Sequence, residues 1–266
     1  TRAGIYGTLP ALPYTPGSDA AGIDTESGRR VYVAGSLSGT YSEFALCRPD
    51  QVHALPQGIS FAQGAALGIP FVTAFRALFQ RTNAQPGETV LVNGASGGVG
   101  LAVVQFALAA GLNVIGTAGS DAGLELVAAQ GAALVVDHRQ PDHLAAARAL
   151  TDGRGLDLIV ELRADLNLGS DLPALAPHGR VVVVGSRGTV EVTPRDLMNA
   201  DGSILAMLLP NATAAELAEA HRAISVGLRS GSLRPAVGRE LPLAEAARAH
   251  RLLLERPALG KLVLGV

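Results

Sequence analysis

The chain has a single cysteine, Cys47, among 266 residues. An intramolecular disulfide is therefore impossible, and so is a structural zinc site built from several thiolates. Tryptophan is absent and aromatics are sparse, so any ring stacking must come from a few Tyr, Phe or His side chains. No run of Lys or Arg occurs, and the formal net charge is −2. A protein that lives on nucleic acid needs a basic stripe to neutralise phosphates, so nucleic acid is a poor primary partner. The longest apolar runs, 181–184 and 204–209, fall far short of the ~20 residues needed to cross a bilayer. These absences fit a cytoplasmic protein that acts on a small molecule. What is plentiful is apolar side chain, 48% of the chain, and glycine, 32 residues. Both fit a large, tightly packed core with many turns.

Residues 1–58 alternate in short segments, 30–34, 41–47 and 52–55, which predict strands. From 61 to 80 the pattern is helical, interrupted near Gly68 and Pro70. Short Val/Ile/Leu strands then alternate with helices. The strands are predicted at 89–93, 112–117, 133–137, 156–162, 180–185 and 203–209. Such alternation implies a parallel sheet covered on both faces, a doubly wound α/β fold. After a long amphipathic helix at 213–230, the tail returns to the texture of the beginning and ends in a strand at 261–266. The organisation expected is a β-rich catalytic domain in two pieces, 1–63 and 212–266, with a dinucleotide-binding domain inserted at 64–211.

The most informative stretch is Val90-Leu-Val-Asn-Gly-Ala-Ser-Gly-Gly-Val-Gly100. A buried strand runs into glycines, and an apolar helix follows at once. A pyrophosphate needs backbone N–H groups that it can approach without a Cβ in the way, at the positive end of a helix dipole. Set between strand and helix in a run of βα units, this is the signature of a dinucleotide site. The same residues also fit a rival, the Gly-x-Ser-x-Gly nucleophile elbow of α/β-hydrolases, with Ser96 as nucleophile. Against it, the chain ends in a plain strand where a His-bearing loop is needed, and no His-Gly-Gly segment precedes the motif. The second strand runs into Thr117-Ala-Gly-Ser120, with no carboxylate at the tip for an adenine ribose. A small neutral tip leaves room for a 2′-phosphate, and Asp137-His-Arg139 can bring an imidazole and a guanidinium to the same edge.

Five segments together carry a resemblance: Pro13-Tyr-Thr-Pro-Gly-Ser-Asp-Ala-Ala-Gly22, Asn93-Gly-Ala-Ser-Gly-Gly-Val-Gly100, Gly116-Thr-Ala-Gly119, Val184-Gly-Ser-Arg-Gly188 and Pro194-Arg-Asp196. The chain is similar along its whole length to the zinc-independent, zeta-crystallin-like quinone oxidoreductases of the medium-chain dehydrogenase/reductase superfamily. That resemblance implies a Rossmann domain beside a GroES-like β-rich catalytic domain, the latter incomplete at its N-terminal end, and a homodimer. It implies NADPH in the cleft, with Ser96, Gly97, Gly98 and Val99 at the pyrophosphate and Gly119 and His138 at the adenosine end. Asn167, Val184, Gly185, Ser186, Arg187, Met207, Leu208 and Leu209 would line the nicotinamide half, and Tyr6 would lie near the substrate. Each residue also has a plainer structural role open to it: Asn167 as a helix cap, Arg187 as a solvated turn residue, and 207–209 as core. Zinc-dependent relatives carry Gly-His-Glu-x-x-Gly where this chain has Gly17-Ser-Asp-Ala-Ala-Gly22, and serine does not replace imidazole on zinc. No metal is expected. The reaction implied is transfer of reducing equivalents to a quinone. Reduction of α,β-unsaturated carbonyls and a nucleotide-regulated RNA-binding role are the alternatives.

Overall fold

The computed structural model describes residues 11–255 and 259–266. The chain first forms an antiparallel sheet of β1 (Asp19–Ile23), β2 (Arg30–Ala34) and β3 (Val52–Ala54), in that order. Segment 41–47, expected as a strand, is an irregular loop. Its neighbours satisfy backbone groups locally: Leu37 N–H bonds the Leu46 carbonyl at 2.8 Å, and Leu46 N–H bonds Ser38 Oγ at 2.9 Å. Alternating residues make a strand only where another strand supplies the ladder.

The expected helix from 61 to 80 divides into α1 (Phe61–Ala65), α2 (Gly68–Phe75) and a wider π turn over Arg76–Arg81. Then comes a six-stranded parallel sheet of β4 (Thr89–Asn93), β5 (Asn113–Ala118), β6 (Leu134–Asp137), β7 (Leu156–Glu161), β8 (Leu175–Val183) and β9 (Ser203–Ala206). The connecting helices are α3 (Gly98–Ala109), α4 (Asp121–Ala128), α5 (His143–Ala149), α6 (Ala164–Asp171) and α7 (Pro194–Asn199). The strand order is β6-β5-β4-β7-β8-β9. Every residue of β4 is buried, as a strand covered by helices on both faces must be. Apolar α3 packs on α2 and the π turn, where Phe71, Phe75 and Phe79 meet Phe106 edge-on with centroids between 5.6 and 6.2 Å apart.

Two strands of this sheet differ from expectation by more than one residue. β8 starts at Leu175 instead of 180, with a break in register between Leu156 and Leu158 and His178 at φ 63°. β9 stops at Ala206, before a 3-10 turn at Leu209–Asn211.

Helix α8 (Ala214–Ser230) opens with a reciprocal Thr213–Glu216 cap and stops at Gly231 in the left-handed conformation. It brings His221 against the first sheet, where Nδ1 hydrogen bonds the Tyr32 hydroxyl at 2.9 Å. The His221 ring stacks on His53 with 3.6 Å between centroids. Strands β10 (Val237–Pro242) and β11 (Lys261–Gly265) pair in parallel, with α9 (Ala246–Glu255) between them in sequence. The architecture is thus the doubly wound Rossmann sheet beside a β-rich unit. Because strand order reverses between β4 and β7, a crevice opens beyond their C-terminal ends.

Candidate functional site

The β4–α3 junction faces that crevice. Gly94 turns the chain at φ 76°, a conformation that penalises a Cβ. A Cβ on Gly100 would stand 2.5 Å from the Gly94 carbonyl oxygen and 2.6 Å from Ala95 Cα, so only glycine lets the helix start press onto the strand end. At Gly98 a Cβ would meet only Lys261 Cδ at 3.6 Å and Pro70 side-chain atoms at 3.7 Å or more, so this glycine keeps open a surface that packing does not require. The first N–H groups of an α-helix have no intrahelical acceptor. Gly97, the N-cap of α3, has no side chain to satisfy them. The junction is a cradle for an anion, and it fits the pyrophosphate of a dinucleotide.

Two features beside the cradle escape sequence reasoning. The Gly260 N–H bonds the Ser96 carbonyl at 2.8 Å, so the tail of the chain docks on the glycine loop. That contact sets Lys261 beside Gly98, with its Nζ 3.6 Å from Asp19 Oδ2. Burial raises the Asp19 carboxyl, against the lowering effects of Lys261 and the Ile69 N–H. A lysine more than 160 residues after the loop carries no local signal of this placement. Ser96 itself is 8% exposed, and among the described residues no histidine hydrogen bonds its hydroxyl. A nucleophile elbow needs the opposite on both counts.

At the tip of β5, a Cβ on Gly119 would lie 2.4 Å from His138 Nε2, so the imidazole rests directly on this glycine. His138 Nδ1 is 3.3 Å from Thr117 Oγ1, and the residue is exposed at the sheet edge. Burial of the ring, and to a lesser degree nearby His143, lowers its pKa. Arg139 is not the free donor its position suggests, because it is bound to Asp137 at 2.7 Å and to Asp121 at 3.2 Å. The same contacts occupy Asp121, the carboxylate closest to the neutral tip.

The remaining residues follow the C-terminal ends of β7, β8 and β9. Val184 and Gly185 N–H groups bond the Glu161 carbonyl at 2.9 and 3.2 Å. Ser186 and Arg187 are exposed, the Arg187 N–H held by Asp165 at 3.1 Å. Met207 N–H bonds the Val183 carbonyl at 3.1 Å, and Leu208 is exposed while Leu209 packs on the core. Asn167 points its amide inward to Glu161 at 3.2 Å. The structure therefore brings Ser96, Gly97, Gly98, Val99, Gly119, His138, Asn167, 184–187 and 207–209 to one edge of one sheet. Tyr6 lies outside the described residues.

Beneath this edge sits a polar cluster that the sequence reading passed over. Asn93 Nδ2 donates to Glu161 Oε2 at 2.5 Å and to Asp171 Oδ1 at 3.0 Å, and both acids are 0% exposed. A signal existed: β4 and β7 are apolar runs that close on Asn93 and Glu161, and a polar residue ending a buried strand at the ligand edge is informative.

Comparison with known proteins agrees with this geometry. Residues 98–225 match the family model described as zinc-binding dehydrogenase. The chain is 42% identical to human quinone oxidoreductase, over 99% of this chain and 83% of that protein. Quinone oxidoreductase from Thermus thermophilus, solved also with NADPH, superposes with a TM-score of 0.87 at 33% identity, over 99% of this chain and 85% of that one. A mycobacterial protein complexed with NADPH superposes with a TM-score of 0.88 at 27% identity, over 99% and 85%. The chain is an oxidoreductase of the medium-chain dehydrogenase/reductase superfamily. Within it, the chain belongs to the zinc-independent, zeta-crystallin-like quinone oxidoreductases.

Proposed function

We propose that this enzyme passes reducing equivalents from NADPH to a quinone bound in the crevice beyond β4 and β7. The NADPH-dependent oxidoreductase activity is the family's, and the quinone is our reading of the acceptor. The observation that carries it is the open anion cradle at Gly97 and Gly98, set at the switch point of the sheet beside a β5 tip whose nearby carboxylate, Asp121, contacts Arg139. Backbone N–H groups of Gly98 and Val99, at the start of α3, would bind the pyrophosphate, with the Lys261 ammonium adding positive charge nearby. His138 would face the 2′-phosphate. The turn 184–187, Asn167 and the 207–209 segment would orient the nicotinamide and keep water from it. When bound, NADPH supplies a hydride from its nicotinamide ring.

Ser18 stands where zinc-dependent relatives keep a histidine ligand, so the acceptor must take hydride without metal polarisation. A quinone does so readily, because the charge it gains is delocalised onto oxygen. Tyr6 would shape the substrate end. Steady-state turnover of NADPH with a panel of quinones and α,β-unsaturated carbonyls tests the reading. Quinone kcat/KM should exceed that of every enone, and the reverse order overturns the quinone assignment while leaving the cofactor site intact.

A further inference from the structure

The acidic pair under the cofactor edge has a proton count that its surroundings fix. Glu161 accepts four hydrogen bonds: Oε2 accepts from Asn93 at 2.5 Å, both oxygens accept from Asn167 at 3.2 Å, and Oε1 accepts the Arg163 N–H. Asp171 accepts one, from Asn93 at 3.0 Å, and its Oδ2 is buried with no donor facing it. Two buried carboxylates in contact resist ionising together, so one of them holds its proton to higher pH. Four donors face Glu161 and one faces Asp171, so a proton on Asp171 turns the pair from repulsive to hydrogen-bonded.

The pair grips both N–H bonds of the Asn93 amide. The amide oxygen is thereby turned to the Thr117 hydroxyl, 3.5 Å away. That hydroxyl oxygen in turn accepts the Gly94 N–H at 3.0 Å. A continuous chain of contacts thus runs from α6 through the ends of β7, β4 and β5 to the first residue of the glycine loop.

We propose that Asp171, in its protonated form, is a positioning residue that sets the glycine loop for dinucleotide binding, and that its ionisation releases the cofactor. The proposal rests on the reading of 96–99 as the pyrophosphate site. Burial first, and then the Glu161 charge, push the Asp171 pKa up to about 9. The groups around it are Glu161 from β7, Asn93 from β4 and Asn167 from α6, while the adjoining turn Leu172–Ala174 is apolar. The nearest cation to Glu161 in sequence, Arg163, is held by Asp165 at 3.0 Å, and His138, which follows β6 at the outer edge of the sheet, feels the Glu161 charge. Ionising Asp171 puts a second negative charge next to Glu161 and beneath a site for a polyanion, so both the loop geometry and the field turn against binding.

The test is the dissociation constant of NADPH and of NADH, by calorimetry, from pH 7 to pH 10, with thermal unfolding of the ligand-free protein alongside. For the wild type, both constants should rise about tenfold between pH 8 and pH 10, in parallel, because the pyrophosphate is common to both. Asp171→Asn keeps a donor toward Glu161 and cannot ionise, so its constants should stay within about threefold over that range. A flat wild-type profile, or an Asp171→Asn profile as steep as the wild type, overturns the proposal. A role in folding alone would move the unfolding temperature of Asp171→Asn and leave its binding profile parallel to that of the wild type, which also overturns it. Gly98→Val separates the two readings. Loss of binding in that variant upholds the loop assignment whatever Asp171 does, and undiminished binding removes both.

Discussion

His138 is the side chain we propose for the 2′-phosphate, because Arg139 beside it is already engaged. Arg139 is shared between Asp137 and Asp121, so its guanidinium is not free and one net negative charge remains beside the β5 tip. Burial favours the neutral imidazole, whereas a 2′-phosphate favours the imidazolium. NADPH should therefore be preferred over NADH more strongly at pH 6 than at pH 8. His138→Ala should cut the preference by roughly 10–100-fold, the value of one charge-assisted hydrogen bond of ~1.5–3 kcal/mol, with Arg139→Ala doing less. Dissociation constants for both cofactors at the two pH values check this. The glycines divide in a similar way. Gly98→Val should lose at least tenfold in NADPH affinity, since its side chain would stand in the cradle, although the Cβ itself makes only ordinary contacts. Gly100→Ala should lower stability by about 1–3 kcal/mol, since its Cβ meets backbone that cannot retreat. Denaturant unfolding of the two variants distinguishes them.

At the scale of elements, α8 is fastened to the first sheet by the Tyr32–His221–His53 stack. Burial, and then the nearby His53, lower the His221 pKa from 6.5 to about 4. A histidine whose folded pKa is depressed lends stability above its unfolded pKa and loses it as pH falls toward the folded one. The protein should therefore lose thermal stability from pH 6.5 down to pH 4. His221→Gln, which cannot gain that proton, should lessen the slope, as scanning calorimetry across this range would reveal. The elements also show where periodicity misleads. Segment 41–47 alternates like a strand yet has no ladder to join. In 61–80, one helical pattern holds two α-helices and a π turn, and α2 starts at Gly68, which presses on Asp19 and Ala34, with a Cβ there standing 2.3 Å from the Asp19 carboxylate.

For the whole molecule, the feature that bears on assembly is β9. It is an edge strand of the six-stranded sheet, and Ile204 on it is 38% exposed. An apolar edge left bare invites pairing with another chain, so the protein should be a homodimer joined through β9. Light scattering at micromolar concentration should give twice the 27.1 kDa of this chain, and Ile204→Lys should give the single mass. Among the described residues, no helix is long and apolar enough to cross a membrane.

The amino-acid sequence by itself determined the alternation of strands and helices, the anion cradle after β4 and the absence of the zinc-ligating histidine. Each is written in neighbouring residues: apolar runs of strand length, glycines between a strand and a helix, and serine at position 18. Only the tertiary structure decided that Arg139 is spent on two aspartates, that Lys261 stands beside Gly98, and that Glu161 and Asp171 are buried on one Asn93 amide beneath the loop. Those facts depend on distance and burial between residues far apart in the chain. A carboxyl group's charge is set by how much water and how many donors surround it, and no local pattern encodes that count.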